Sequence, residues 1–262
     1  MADRVRITID AGVADVRLNR PEKLNALDRA MFDEIAAAGA RLAATPELRA
    51  VVLSGNGRAF CAGLDMAIFT GSGGPGDLDA RTHGAANPFQ QVAWLWRQLP
   101  VPVVAAIHGV AFGGGFQIML GADVRIATPD ARLSIMEIQW GLIPDMAGIA
   151  LSRGLMRDDV LRELTFTGRI FSGAEGAAYG CVTRVDADPH AAATTLARAI
   201  AARNPDAIRG AKRLYNAAAD ADAAALLAAE SREQRSLIGS ANQMEAVMAN
   251  LEKRAPTFRD PA

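Results

Sequence analysis

Val5, Ile7 and Ile9 alternate with polar residues, Asp10-Ala11-Gly12 supplies a turn, and the run Val13 to Leu18 returns; this period of two predicts a β-hairpin. From Asp28, an N-cap residue, the period lengthens. Met31, Ile35 and Leu42 recur at helical spacing until Thr45-Pro46, and the apolar run Ala50 to Ser54 then predicts a further strand. The order strand, strand, helix, strand has a counterpart downstream: a helix over 89–98, a strand over Val101 to Ile107, a glycine turn, a helix over 114–121, and strands near 123–127 and 132–135. Strands alternating with helices predict an α/β core. Beyond about residue 190 the strand signal stops, and alanine-rich sequence dotted with charge, punctuated by Pro205 and Gly239, predicts helices. The chain therefore divides into a core, 1–195, and a helical region, 196–262. Helices of this kind carry narrow apolar stripes that pack either on their own core or on a partner, and both readings stand.

Residues 71–88, rich in glycine, proline and asparagine, are too long for a tight connection and directly follow the segment Phe60 to Asp65. They are candidates for a mobile lid.

Composition narrows the function. The chain has 262 residues, 50% hydrophobic and 22% charged, with a net charge of −1 and no basic cluster; nucleic acid is not an expected partner. Two cysteines, Cys61 and Cys181, make no disulfide framework, and three histidines at 83, 108 and 190 lack ligand spacing, so no metal is expected. No run reaches the roughly 18 apolar residues of a membrane span, and the N-terminus has no apolar signal core. A soluble, unprocessed, cytoplasmic protein is the expectation.

The chemistry begins at Gly113-Gly114-Gly115, which follow an apolar strand and open a helix. A nucleotide site is one reading of such a turn, but G-x-G-x-x-G starting at Gly113 requires glycine at 118 and meets Ile118, and no phosphate-binding G-x-x-x-x-G-K-[ST] occurs. Two readings remain: the glycines allow close strand-to-helix packing, or their N–H groups at the positive helix end hold a developing negative charge.

Five segments taken together, Asn19–Leu27 (NRPEKLNAL), Ala59–Asp65 (AFCAGLD), Ala105–Gly109 (AAIHG) with the three glycines, Ala122–Ala127 (ADVRIA) and Gly141–Pro144 (GLIP), resemble the crotonase family of enoyl-CoA hydratases and isomerases over nearly the whole chain. The resemblance implies an α/β fold, the crotonase (ClpP-like) spiral of ββα units with a C-terminal helical trimerisation region. It implies a homotrimer, or a hexamer built as a dimer of trimers. It also implies an acyl-CoA thioester substrate, so that coenzyme A arrives with the substrate and no separate cofactor is needed. By the family's pattern the backbone N–H groups of Leu64 and Gly114 form the oxyanion hole, and Asp65 and Met66 stand at the substrate path, although Met66 equally suits core filling. Trp140 either lines the acyl pocket or packs. Phe258 and Arg259 match a tail that contacts the coenzyme, from this chain or a neighbour, or else form a solvated end.

The acids decide the reaction. Hydratases of the family hold a water between two glutamates, and at the first of these positions this chain has Gln117, which orients but cannot carry a proton. The second is Glu137, a candidate acid/base if its apolar neighbours raise its pKa. Asp145 stands where hydratases have glycine and isomerases of the dienoyl type have an aspartate; it is either a second proton carrier or the N-cap of a helix beginning near Met146. His108 is expected to make a structural hydrogen bond and Cys61 to be an inert core thiol. Double-bond isomerisation is the leading expectation, with hydration and catalytically silent thioester binding as rivals.

Overall fold

The structure is a computed structural model describing residues 3–70 and 77–261. The hairpin forms as its period requires: β1 (Val5–Asp10) and β2 (Val13–Leu18) pair antiparallel, and Ala11 and Gly12 turn the chain with positive φ of 47° and 76°. Helix α1 (Arg29–Ala43) starts where Asp28 accepts a hydrogen bond from Met31 N–H, and it buries Met31, Ile35 and Leu42. It carries the chain to β3 (Ala50–Gly55), parallel to β2. After the short α2 (Ala67–Thr70), α3 (Pro88–Gln98) is closed by an Asn87–Gln90 capping box and leads to β4 (Val103–Ile107), two residues shorter than expected at its start.

The two apolar faces of the central strands explain the layers. Val51 and Leu53 of β3 and Val103, Ala105 and Ile107 of β4 enter the main core, whereas Ala50, Val52, Val104 and Ala106 face a second core. Strands buried on both faces read as continuous apolar runs, and these do. A three-residue strand that periodicity does not reveal, β5 (Val110–Phe112), precedes α4 (Gly114–Leu120), which is buried throughout. Strands β6 (Val124–Ala127) and β7 (Arg132–Ser134) follow, then α5 (Gly148–Ser152), α6 (Asp158–Thr167), β8 (Phe171–Ser172), α7 (Gly173–Tyr179) and β9 (Arg184–Val185). The large sheet runs β1-β2-β3-β4-β6-β9 and the small one β5-β7-β8.

Helix α8 (Pro189–Ala201) covers the second core with Ala193 and Ala197. Helices α9 (Pro205–Ala217), α10 (Ala223–Leu237) and α11 (Ala241–Glu252) complete the chain, with Pro205 in the first turn of α9 and Gly239 separating α10 from α11. Helix α9 is anchored by a buried cation: Lys212 Nζ donates to Trp96 O, Val101 O and Asp123 Oδ2 at 3.1, 2.8 and 2.8 Å. Removing it takes a donor from three acceptors, of which Asp123 Oδ2 keeps the Val103 N–H at 2.7 Å. Lys212→Ala is expected to lower unfolding free energy by roughly 2 to 4 kcal/mol, below the full figure for a buried pair because Asp123 is partly solvated. Urea midpoints at constant m-value check it. Leu227, Ile238 and Leu251 of the C-terminal helices and their linker are exposed. Among the described residues no helix is long and apolar enough to cross a membrane.

Candidate active site

The site is assembled first by backbone. Leu24 and Asn25 take positive φ, and the buried Asn25 amide donates to Asn56 O, Ala59 O and Phe60 O while its oxygen accepts from Arg20 N–H, which sews segment 19–27 to segment 56–60. Leu27 N–H then donates to Gly63 O, and Asp65 N–H donates to Leu27 O. On the opposite side Cys61 N–H donates to Val110 O and accepts, at its carbonyl, Phe112 N–H. The strip 61–65 is thus held from both edges. Leu64 N–H, between these bonds, has no acceptor among the described residues.

The three glycines have separate tasks. Gly113 turns the chain with φ +49°, its N–H on Ser134 O at 3.0 Å. Gly114 opens α4, so its N–H, too, is unengaged among the described residues, and a side chain there would strike Met146 Sδ at 2.8 Å. Gly115 allows helix and strip to touch, since a Cβ would collide with Cys61 O. Gly115 thus serves the packing reading, while Gly114 leaves an N–H without an acceptor among the described residues, as the anion reading requires. Gly63 brings the halves together: it has φ +86°, and a Cβ on it would lie 2.6 Å from Phe112 O and 3.5 Å from Gly114 N.

Asp65 is engaged in holding this strip. Its carboxylate accepts from Ala67 N–H at 3.0 Å and from Arg20 Nη1 at 2.6 Å, and these two contacts keep its pKa below the usual carboxylate range. Arg20 also donates to Ala26 O. Arg20, Gly63 and Met146 were not among the site residues expected from the sequence; the motifs containing Arg20 and Gly63 were the available signal, and Met146 left none. Met66 is exposed beside Asp65.

Glu137 opens a 3₁₀ turn, Glu137–Trp140, which is fixed by Gln139 Nε2 and Ser134 Oγ donating to Gly168 O. Its Oε1 accepts from Gln117 Nε2 at 2.6 Å and lies 3.2 Å from where a Cβ of Gly113 would be, so the carboxylate rests against the glycine turn. Oε2 is buried with no hydrogen-bond partner among the described residues. Burial pushes the Glu137 carboxyl above the ordinary range, and the negative charge of Asp145 adds to the shift. Gln117, 1% exposed, accepts at Oε1 from Met146 N–H at 2.8 Å and Gly148 N–H at 2.9 Å.

Asp145 stands on the exposed rim, where protein crowding its inner side raises its pKa. The following helix begins at Gly148, not near Met146; Ala147, with φ 67°, is its N-cap, and no side chain caps it. Asp145 therefore is not a helix cap. Trp140 is 57% exposed on the turn of Glu137. Cys61 is a core thiol pushed up to about 12 by burial, and His108 Nε2 lies 3.0 Å from Gly57 O. The expected lid, 71–88, includes residues 71–76, which lie outside the described residues.

Beside Gln117 opens a cavity of about 220 Å³, lined by Phe116, Leu120, Ile135, Ile149, Leu161 and Phe166 among others. Two hydroxyls in its wall, Ser152 and Thr165, donate to Ile149 O and Leu161 O, and the charged pair Asp158 and Arg162, which also lines it, is joined at 2.6 Å, so most of the wall is apolar. Phe258 lies elsewhere, lining a hollow with Gly12, Glu47 and Arg49 at the start of β3, and Arg259 is bound through its backbone to Asn242. Leu64 follows the other end of that strand, after Gly55.

The sequence profile of the enoyl-CoA hydratase/isomerase family matches residues 8–261. The chain belongs to that family. It is 37% identical over 264 residues to a Rhodobacter capsulatus protein named "Probable enoyl-CoA hydratase", covering 97% of each chain. It is also 34% identical over 210 residues to the rat mitochondrial Δ(3,5)-Δ(2,4)-dienoyl-CoA isomerase, a match spanning 76% of this chain and 64% of that protein. Among solved structures it superposes on an enoyl-CoA hydratase of Bacillus anthracis with TM-score 0.88 at 29% identity, over 97% of this chain and 98% of that one. The enoyl-CoA hydratase/isomerase fold is thereby established, and this member is an enzyme of the family whose relatives carry the names of both reactions.

Proposed function

We propose that this enzyme moves a carbon–carbon double bond in an acyl-CoA thioester through an enolate. The thioester oxygen accepts from the Leu64 and Gly114 N–H groups. Glu137 Oε2 takes a proton from the carbon chain: the C–H bond breaks, an O–H bond forms on Oε2, and the electron pair moves to the thioester oxygen. Oε2 then returns the proton to a different carbon as the enolate collapses, with the double bond displaced. Two preorganised donors where the charge develops are worth most in a water-poor site. Asp145, on the rim, is a second proton carrier for substrates whose acceptor carbon lies beyond the reach of Glu137.

The observation that carries this reading is the state of Gln117. Addition of water asks the side chain opposite Glu137 to hold a water and exchange protons with it. An amide cannot do the second, and here its oxygen already accepts two backbone N–H groups. Hydration remains the second reading, favoured by the names of the solved relatives. The apolar cavity beside Gln117 supports an unsubstituted hydrocarbon acyl tail. The exposed apolar side chains of α10 and α11 support assembly as a homotrimer or hexamer. Contact of the Phe258–Arg259 tail with coenzyme A, from this chain or from a neighbouring copy, belongs to the same reading.

The pH dependence tests the role of Glu137. The base must be ionised to start, and burial raises its pKa, so kcat/KM for a 3-enoyl-CoA should rise with pH through an acid limb above the ordinary carboxylate range and be lost below it. A limb at or below the ordinary value contradicts the assignment.

A further inference from the structure

We propose that Gln117 is a positioning residue that makes Glu137 a one-sided proton carrier, holding Oε1 permanently as an acceptor so that Oε2 alone gives and takes the proton. The inference rests on the proposed role of Glu137 and concerns how that role is enforced.

The orientation of one amide decides which oxygen of Glu137 is free. Met146 N–H and Gly148 N–H both point at Oε1 of Gln117. Rotating the amide by half a turn would set its NH₂ group against two donors, so the oxygen is locked on that side and Nε2 must face Glu137. Space fixes the position of the side chain, though not its flip: a Cβ on Gly148 would lie 2.6 Å from the Gln117 oxygen and 2.7 Å from its Cγ, so the backbone of the turn packs directly on it. Nε2 has hydrogens to donate and no lone pair to accept with. Glu137 Oε1, at 2.6 Å, is therefore held as an acceptor, which disfavours the proton there and leaves Oε2 as the better site for it.

The proton of the neutral carboxyl is then favoured on Oε2, the buried atom without a partner among the described residues. A carboxyl free to rotate would offer either oxygen and would spend part of its time with the proton turned into the protein. The glutamine removes that choice. It also ties the carboxylate, through Met146 and Gly148, to the turn that follows Asp145 and carries the sulfur lying over Gly114. Base and oxyanion donor are thus set in register by one side chain. The same N–H favours the ionised form of Glu137 against the burial that opposes it, which keeps the base usable.

The test uses the full chain and two readouts, one independent of turnover. The first is the infrared carbonyl stretch of neutral Glu137 as a function of pH, assigned by its loss when Glu137→Gln is added on each background. The second is the pH profile of kcat and KM for a 3-enoyl-CoA. Gln117→Glu keeps an acceptor for Met146 and Gly148 but replaces the donor at Oε1 by a second carboxyl oxygen; Gln117→Met removes both ends. In Gln117→Glu the Glu137 titration is expected to move up by about one pH unit or more, the size of one lost hydrogen bond to a charged group, carrying the acid limb with it. kcat at neutral pH should fall by about tenfold or more while KM stays within about threefold. Gln117→Met should shift the titration the same way if folded, and Gln117→Glu decides alone if it is not. A Glu137 titration that coincides in wild type and Gln117→Glu, or a variant effect confined to KM, overturns the proposal. If the wild-type protein converts no 3-enoyl-CoA, the isomerase reading fails, and the infrared titration still decides whether Gln117 positions Glu137.

Discussion

Glu137→Gln should lower kcat for isomerisation by at least 10²- to 10⁴-fold, the range of general acid–base help, with little change in stability. The substitution is close to a deletion of the proton alone. Glutamine has the shape of glutamate, its oxygen accepts from Gln117 Nε2 as Oε1 does, and its NH₂ group takes the place of Oε2. An ionisable group whose charged form is disfavoured by burial is removed, so the fold loses no ion pair, and the urea midpoint should stay near that of the parent. KM should hold as well, because in the proposed reaction Glu137 meets the reacting carbons and not the coenzyme. Steady-state kinetics beside urea titration separates the cases: a kcat within threefold of the parent would remove Glu137 from the chemistry, and a collapsed midpoint would make the residue structural.

Gly63→Ala is expected to lower kcat by about 10²- to 10³-fold, as loss of one oxyanion donor does. Gly63 has φ +86°, where an L side chain is strained, and its new Cβ would lie 2.6 Å from Phe112 O. That oxygen cannot step aside, because Phe112 is in β5 and is tied back to Cys61 O by its own N–H. The strip carrying Leu64 must move instead, away from Gly114 N, which the same Cβ would approach to 3.5 Å. The two donors then no longer converge on one oxygen. A stability loss of about 1 to 3 kcal/mol should accompany the change, from strain at a positive φ. Gly239→Ala supplies the control: it has φ +78° with nothing within 4 Å of the new Cβ, so it pays in strain alone and should retain kcat. Equal kcat losses in the two variants would show that strain, not the geometry of the donors, governs the rate.

What was legible in the sequence follows from which interactions are local. The hairpin, α1, β3 and α4 were readable because period and caps lie within each element: Val5 to Ile9 alternate, Asp28 stands three residues before Met31, and β3 is apolar throughout. Strand β5 was not, since three residues show no period, and it exists because Cys61 and Arg132 pair with it from distant parts of the chain. The start of α5 was misplaced for a related reason. Its turn is set by the Gln117 side chain, 29 and 31 residues upstream of the N–H groups it accepts, and a local capping rule applied to Asp145 has no access to that contact.

The same division holds at the site. Glu137 and Asp145 stood out as the only carboxylates from Leu133 to Leu155, and Leu64, Gly114 and Gln117 were named as candidates by their match to the family's motifs. Their relations were not identifiable. That Asp65 is held by Arg20 and Ala67, that Gln117 uses both ends of its amide, and that Phe258 lies at the opposite end of β3 from Leu64 are consequences of tertiary pairing.

The fate of one double bond separates isomerisation from hydration. Purified protein incubated in parallel with a 3-enoyl-CoA and a 2-enoyl-CoA, with products followed by ultraviolet absorbance and mass, gives the most direct measurement. The prediction is that the 3-enoyl-CoA becomes the conjugated 2-enoyl-CoA at unchanged mass, while the 2-enoyl-CoA gains no water. A 2-enoyl-CoA that gains the mass of one water, beside a 3-enoyl-CoA left unconverted, would contradict it and return Gln117 to the role of a water-holding residue.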